Sequence, residues 1–124
     1  MLVNHGIHLG YCTNIHRGET WEETFKGLQD YTLQVRERVA HGKSYGIGLR
    51  LSEQAVRELK TGDEMIRFQR WLDKNDCYVF TINAFPYGAF HGQRVKEQVF
   101  RPDWSTQERL DYTKGVFDVL AELL

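Results

Sequence analysis

Tyr45-Gly46-Ile47-Gly48-Leu49-Arg50-Leu51, followed at once by Ser52 and then by Val56 and Leu59, is the stretch on which the fold turns. Seven residues with no charge other than Arg50 read as a buried strand. Ser52 sits where a helix N-cap belongs, because a short side-chain oxygen can accept from the free N–H groups of a first helical turn. A strand that runs directly into a helix is the start of a βα unit, and the same pair of signals recurs on both sides. Upstream, residues 7–12 predict a strand. A helix follows from Thr20, with Glu23 three residues on in a capping-box pattern. Trp21, Phe25, Leu28, Val35 and Val39, with Thr32 in the gap, fall on one helical face, and Gly42 stands where the helix should stop. Downstream, the helix after Ser52 is interrupted at Thr61-Gly62-Asp63 and resumes with Met65, Phe68 and Leu72. Gly62 is expected to kink or split it, and Asp63 to cap the second piece. Residues 77–84 predict a third strand, and residues 85–104 a long segment without periodicity. A last helix is expected from Ser105, with Glu108 completing a second capping box and Leu110, Phe117, Leu120 and Leu124 as its apolar stripe.

Three strand–helix pairs predict an α/β fold with a parallel sheet, since parallel strands need crossover connections. An open doubly wound sheet and a closed barrel compete. No GxGxxG or P-loop pattern follows any of the strands, which removes the usual support for a nucleotide-binding open sheet. Strand parity favours the barrel. One set (Ile7, Leu9, Tyr11, Tyr45, Ile47, Leu49, Leu51, Tyr78, Phe80, Ile82, Ala84) is large and apolar, and is expected under the helices. The other (His8, Gly10, Cys12, Gly46, Gly48, Arg50, Val79, Thr81, Asn83) is smaller and more polar. An open sheet covered on both faces would need both sets apolar. A complete (β/α)8 barrel takes about 250 residues. The 124 residues here therefore read as one domain: an incomplete parallel TIM-type barrel of about three βα units, its N-terminal part.

Composition narrows the functions. Hydrophobic residues make up 41% and charged residues 27%, which suits a packed core. A formal net charge of -1 offers no basic stripe for nucleic acid. No transmembrane segment is expected, the opening residues make a poor signal peptide, and the expected location is cytoplasmic. Cys12 and Cys77 lie in apolar surroundings outside any metal-finger spacing and read as buried thiols, with a disulfide left open. Tyr78 to Ala84, long and uncharged, would leave an open sheet edge, so self-association or aggregation is expected of the isolated chain.

In a barrel the working face lies where strands end and βα loops begin. Cys12, Arg50 and Asn83 fall there, and the loops beyond add Asn14, His16, Tyr87 and His91. His16 and His91 are the candidate catalytic residues, because imidazole titrates near neutrality. Each also reads as a plain loop histidine. Arg50 must meet an anion, either a substrate carboxylate or phosphate or an internal carboxylate. Asn14, Asn83 and Tyr87 are candidate ligand-binding residues. Phe85, Tyr87, Phe90, Phe100 and Trp104 read first as core packing over the mouth, and more sharply as a hydrophobic wall for a ligand. No Asp or Glu stands at a strand end, where hard-cation chemistry would need carboxylate oxygens.

The run from Asn83 through Pro86-Tyr87-Gly88-Ala89-Phe90-His91-Gly92, with Val95-Lys96-Glu97 and Pro102-Asp103-Trp104, resembles the EboE-type metabolite-traffic proteins. So do Tyr11-Cys12-Thr13-Asn14-Ile15-His16 and Gly48-Leu49-Arg50-Leu51-Ser52. That family belongs to the xylose-isomerase-like barrels. The resemblance implies a barrel akin to sugar phosphate isomerases and epimerases, a small metabolite or sugar-like ligand, and a divalent metal held by later strands of the complete barrel. It assigns no metal ligand in this chain. Isomerase-like chemistry in a complete parent, a non-catalytic binding or transport component, and an inactive truncated product all remain open at this point.

Overall fold

The computed structural model describes residues 1–88 and 98–124. A short hairpin opens the chain, with β1 (Leu2–Val3) antiparallel to β2 (Ile7–His8) across a single turn at Asn4–Gly6. After β3 (Gly10–Cys12) and a turn at Thr13–Ile15, the first helical column runs as α1 (Trp21–Gly27), a π-helical segment (Leu28–Thr32) and α2 (Leu33–Val39). Then come β4 (Tyr45–Arg50), α3 (Glu53–Leu59), α4 (Glu64–Lys74), β5 (Cys77–Asn83), a turn at Gln98–Phe100 and α5 (Gln107–Leu123). The chain is thus mixed α/β, with a three-stranded parallel sheet in the order β3-β4-β5.

Local chemistry accounts for the element boundaries. Thr20 and Glu23 close a reciprocal capping box at α1, which satisfies two free helical donors. Ser52 accepts from the Ala55 N–H and starts α3. Gly62, at φ +59°, splits α3 from α4. Asp63 occupies the cap position of α4 but makes no side-chain capping bond. The cap of α5 is Thr106, which accepts from the Arg109 N–H, and not Ser105. Ser105 is already committed, through both its N–H and its hydroxyl, to the Asp103 carboxylate.

The helices share one core with one face of the sheet. Tyr45, Ile47, Leu49, Cys77 and Val79 are buried there with Phe25, Leu59, Phe68 and Val119. Two single-residue insertions rearrange the expected faces. The π-helical segment shifts the phase of the first column, so that Ala40 is buried while Val39 is 58% exposed. In the sheet, Ile47 pairs with Val79 but Gly48 pairs with Thr81, leaving Phe80 as the extra residue of a bulge. Cys77 and Val79 therefore turn to the helices, and Tyr78 and Phe80 to the other face, the reverse of the parity read from sequence. Ile7 and Leu9, read under the helices, are also exposed, because Ile7 belongs to the opening hairpin and the parallel strand begins only at Gly10. Beyond the bulge, Thr81 and Asn83 lie opposite Gly48 and Arg50, as expected. Gly10 and Gly46 make room for Phe80: a Cβ at either would lie 2.9 Å from its ring.

The apolar row read on the last helix is the uncovered one. Leu110, Phe117 and Leu124 are exposed, whereas Arg109, Tyr112, Gly115, Val116 and Val119 face inward. No helix among the described residues is long and apolar enough to cross a membrane.

Candidate functional site

The C-terminal ends of β3, β4 and β5 lead into loops that Arg50 ties together. Its side chain is 5% exposed. One terminal nitrogen donates to the Gly18 carbonyl at 2.8 Å and lies 3.3 Å from Glu19 Oε1; the other donates to the Gly88 carbonyl at 2.9 Å. The Arg50 N–H donates to Thr13 Oγ1. The loops after the first and third parallel strands are thus joined through the end of the middle one. Of the two readings of Arg50, the internal carboxylate is present: Glu19. Ser52 reinforces the same junction by donating to the Glu19 carbonyl.

Thr13, His16, Gly18, Thr24, Leu28 and Arg50 enclose a cleft of only about 10 Å³. That is at most room for one water. His16 turns to the helix side. Its Nε2 lies 2.8 Å from the hydroxyl of Tyr11, whose ring packs against Tyr45 of the core face, and its ring stacks on Tyr31 with centroids 5.2 Å apart. Desolvation lowers its pKa, which favours a neutral imidazole. A groove of about 570 Å³ runs from His16 along α1 past Gly27 and Tyr31.

Tyr87 belongs to a different place. It lines a groove of about 450 Å³ between α3 and α5 with Val56, Tyr112 and Gly115, and its ring meets Tyr112 edge-on at 5.2 Å. Burial and the carboxylates of Glu53 and Glu108 raise the Tyr87 pKa. Tyr112 donates to the Leu51 carbonyl at 2.5 Å, and burial pushes its phenol up to about 12. Asn14 sits half-buried in the turn after β3, and Asn83 is half-buried opposite Arg50. His91 and Phe90 lie outside the described residues.

The sheet face away from the helices carries two chemistries. At the strand starts, Tyr78 and Phe80 pack with His8, and the Tyr78 hydroxyl meets both His8 Nδ1 at 2.8 Å and the N-terminal ammonium at 2.9 Å. At the strand ends, Cys12 and Thr81 are exposed beside Gly48, with Asn83 next along. Cys12, read as buried, is an exposed thiol; Cys77 is buried, and burial pushes its thiol up to about 11.

Arg109 is the residue sequence reading missed. It is 8% exposed, donates to the Ala84 carbonyl at 3.0 Å, and lies under Trp104 with its guanidinium carbon 4.8 Å from the ring centroid. It ties the first turn of α5 to the end of β5. Its one sequence signal was its place three residues past Thr106, the position whose N–H a cap accepts.

Among the described residues, no three His, Cys, Asp or Glu side chains converge as a metal site. The family resemblance places its metal on later strands of a complete barrel, and the described residues hold no donor set for it. No family model, no curated protein and no solved structure matches the chain.

Proposed function

We propose that this chain forms one arc of a TIM-type parallel (β/α) barrel of the sugar phosphate isomerase/epimerase kind, and that its arc contributes part of the mouth that binds a small sugar-like metabolite. The observation that carries the reading is the asymmetry of the sheet. One face is sealed by helices that follow one another in chain order, with α1 against α3 and α3 against α5. The other is left with small and polar residues at the strand ends, namely Cys12, Gly48, Thr81 and Asn83. Barrels place their ligands at that end of the strands, and one uncovered polar face suits an interior rather than a doubly covered sheet.

The binding set is then Asn83 and Thr81 as hydroxyl-directed hydrogen-bonding groups, with Asn14 at the rim and Arg50 holding the loops. Tyr87 braces the third loop from the helix side. His16, fixed between Tyr11 and Tyr31, acts on the first loop and not on the ligand. The reaction needs the complete barrel, and an acid/base role for His91 of this chain is part of the same proposal. The family suggested by the loop motif, the EboE-type metabolite-traffic proteins, is part of this proposal.

Ligand-titrated amide NMR on the 124-residue chain tests it. Sugar phosphates and free sugars at millimolar concentration should move the amides of Cys12, Thr81 and Asn83 first, and Asn83→Ala should weaken the effect several-fold. Shifts confined to the α3–α5 groove, or none at all, would remove the mouth assignment.

A further inference from the structure

The two flanks of the sheet are unlike one another. At the outgoing flank, β5 is an edge strand among the described residues, and α5 beside it exposes Leu110, Phe117 at 67% and Leu124 at 83%. Three of the four acids of α5 lie on its other side: Glu108 and Asp111 line the groove with α3, and Asp118 pairs with Lys60. Lys114 stands between Leu110 and Phe117 along the helix and has no ion-pair partner among the described residues.

At the incoming flank, β3 is the other edge, and the side of α1 turned away from α4 forms the groove of about 570 Å³. Its floor is Gly27, and its wall is the His16–Tyr31 stack, with Ile15 exposed at 73% and Tyr31 at 56%. Its charges are Glu23 and Asp30 against Arg17 and Lys26, which balance, because Glu19 at its edge is held by Arg50. An apolar ridge carrying one unpaired cation thus faces outward at one end of the molecule. An aromatic groove with balanced charges lies at the other.

We propose that these flanks dock on each other between copies of the chain, head to tail. The β3 strand of one copy adds parallel to β5 of the next, and the Leu110–Phe117 ridge of α5 enters the groove beside Tyr31. This continues the progression the chain already makes twice, from β3 to β4 and from β4 to β5, with each new helix against the last. Unpaired edges with exposed apolar neighbours favour such addition, and a heterologous contact of this kind propagates because both flanks survive on every copy. The proposal rests on the arc reading above, with a second copy as the neighbouring arc.

The test is a complementation by sedimentation velocity and light scattering. The unmodified chain should run as a concentration-dependent series of multiples of 14.6 kDa. Phe117→Lys removes the ridge and Tyr31→Lys blocks the groove. Each variant alone should be monomeric, because self-docking needs both flanks. Mixed in equal amounts they should form a heterodimer, through the intact ridge of one and the intact groove of the other. Both positions are exposed, and circular dichroism checks the fold; Leu110→Lys and Ile15→Lys replace either variant that unfolds. An unmodified chain that stays monomeric would overturn the proposal and leave the flanks to another polypeptide, such as further βα units. A single variant that still dimerises would overturn it in favour of a symmetric contact. A mixture that stays monomeric would also overturn it. Ligand shifts at Thr81 and Asn83 in a monomeric chain would leave the arc reading standing while this one fell.

Discussion

Replacing Arg50 by methionine separates a loop clamp from a ligand anchor. The side chain is nearly sealed from solvent, and its head meets the Gly18 and Gly88 carbonyls and the Glu19 carboxylate. A hydrogen bond to a charged group contributes about 1.5–3 kcal/mol. Removing one partner of a buried charged set costs about 3–5 kcal/mol, because the groups left behind lose their donors. The expected loss for Arg50→Met is in that range, a large part of the about 5–15 kcal/mol that holds a domain folded. Glu19→Gln should cost under about 1 kcal/mol, since that carboxylate is 31% exposed and solvent screens it. Arg50→Lys should fall between, keeping the charge and losing the fork that reaches two loops at once. Urea unfolding followed by tryptophan fluorescence gives the free energies, and hydrogen exchange reads the loops. Amide exchange should quicken in both 13–19 and 84–88 in Arg50→Met. If stability falls by less than about 1 kcal/mol and neither loop changes while sugar phosphate binding is lost, Arg50 is an anchor for ligand and the clamp is wrong.

Gly115→Ala should destabilise despite the roughly 1 kcal/mol helix-propensity gain. Its Cβ would sit 2.9 Å from Val56 Cγ1, a stiff β-branched side chain in the core. Overpacking of about 1–3 kcal/mol should win. Adding Val56→Ala should then recover part of the loss as a favourable coupling in thermal or urea unfolding, and a Gly115→Ala protein more stable than the parent would contradict the close α3–α5 approach. The His16 pKa is lowered in the folded state by desolvation. Below its unfolded value near 6.5, the unfolded chain takes up the proton first. Its stability contribution is therefore full above that pH and is lost as pH falls toward the lower folded value. A melting-temperature series across this range should show a decline that His16→Gln flattens, and an unchanged slope would place His16 in solvent.

Elements whose signals are local were legible in the sequence. The strand at 45–51, the capping box at Thr20, the cap at Ser52 and the break at Gly62 depend on neighbours a few residues away. The cap of α5 was not legible because Ser105-Glu108 and Thr106-Arg109 offer the same spacing one residue apart. The choice is made by Asp103, which takes both donors of Ser105. The inward face of α5 was misread for a related reason. Leu110, Phe117 and Leu124 form a regular apolar row, while the buried row begins with Arg109, which looks like a surface residue until Ala84 and Trp104 are seen to receive it. The candidate site was legible as a set of strand ends and loops. It was not legible as a geometry: Arg50 and Asn83 face each other across the register, but His16 and Tyr87 lie toward the helices.

The bulge at Phe80 matters most for function. Read by alternation alone, residues 78–84 send Tyr78, Phe80, Ile82 and Ala84 to one face. The extra residue divides that set, so Ile82 stays under the helices while Tyr78 and Phe80 cross over. The crossing is possible only because Gly10 and Gly46 leave the space that Phe80 fills. The starts of the strands on the uncovered face are thereby closed with aromatic rings, a histidine and the N-terminal ammonium. Polar groups on that face are left at the strand ends, beside the loops that Arg50 joins. Without the bulge, Tyr78 and Phe80 would press into a core already filled by Phe68 and Val119, and the uncovered face would be open along its whole length. One inserted residue, matched by two glycines on neighbouring strands, thus confines the chemistry of this face to one end of the sheet.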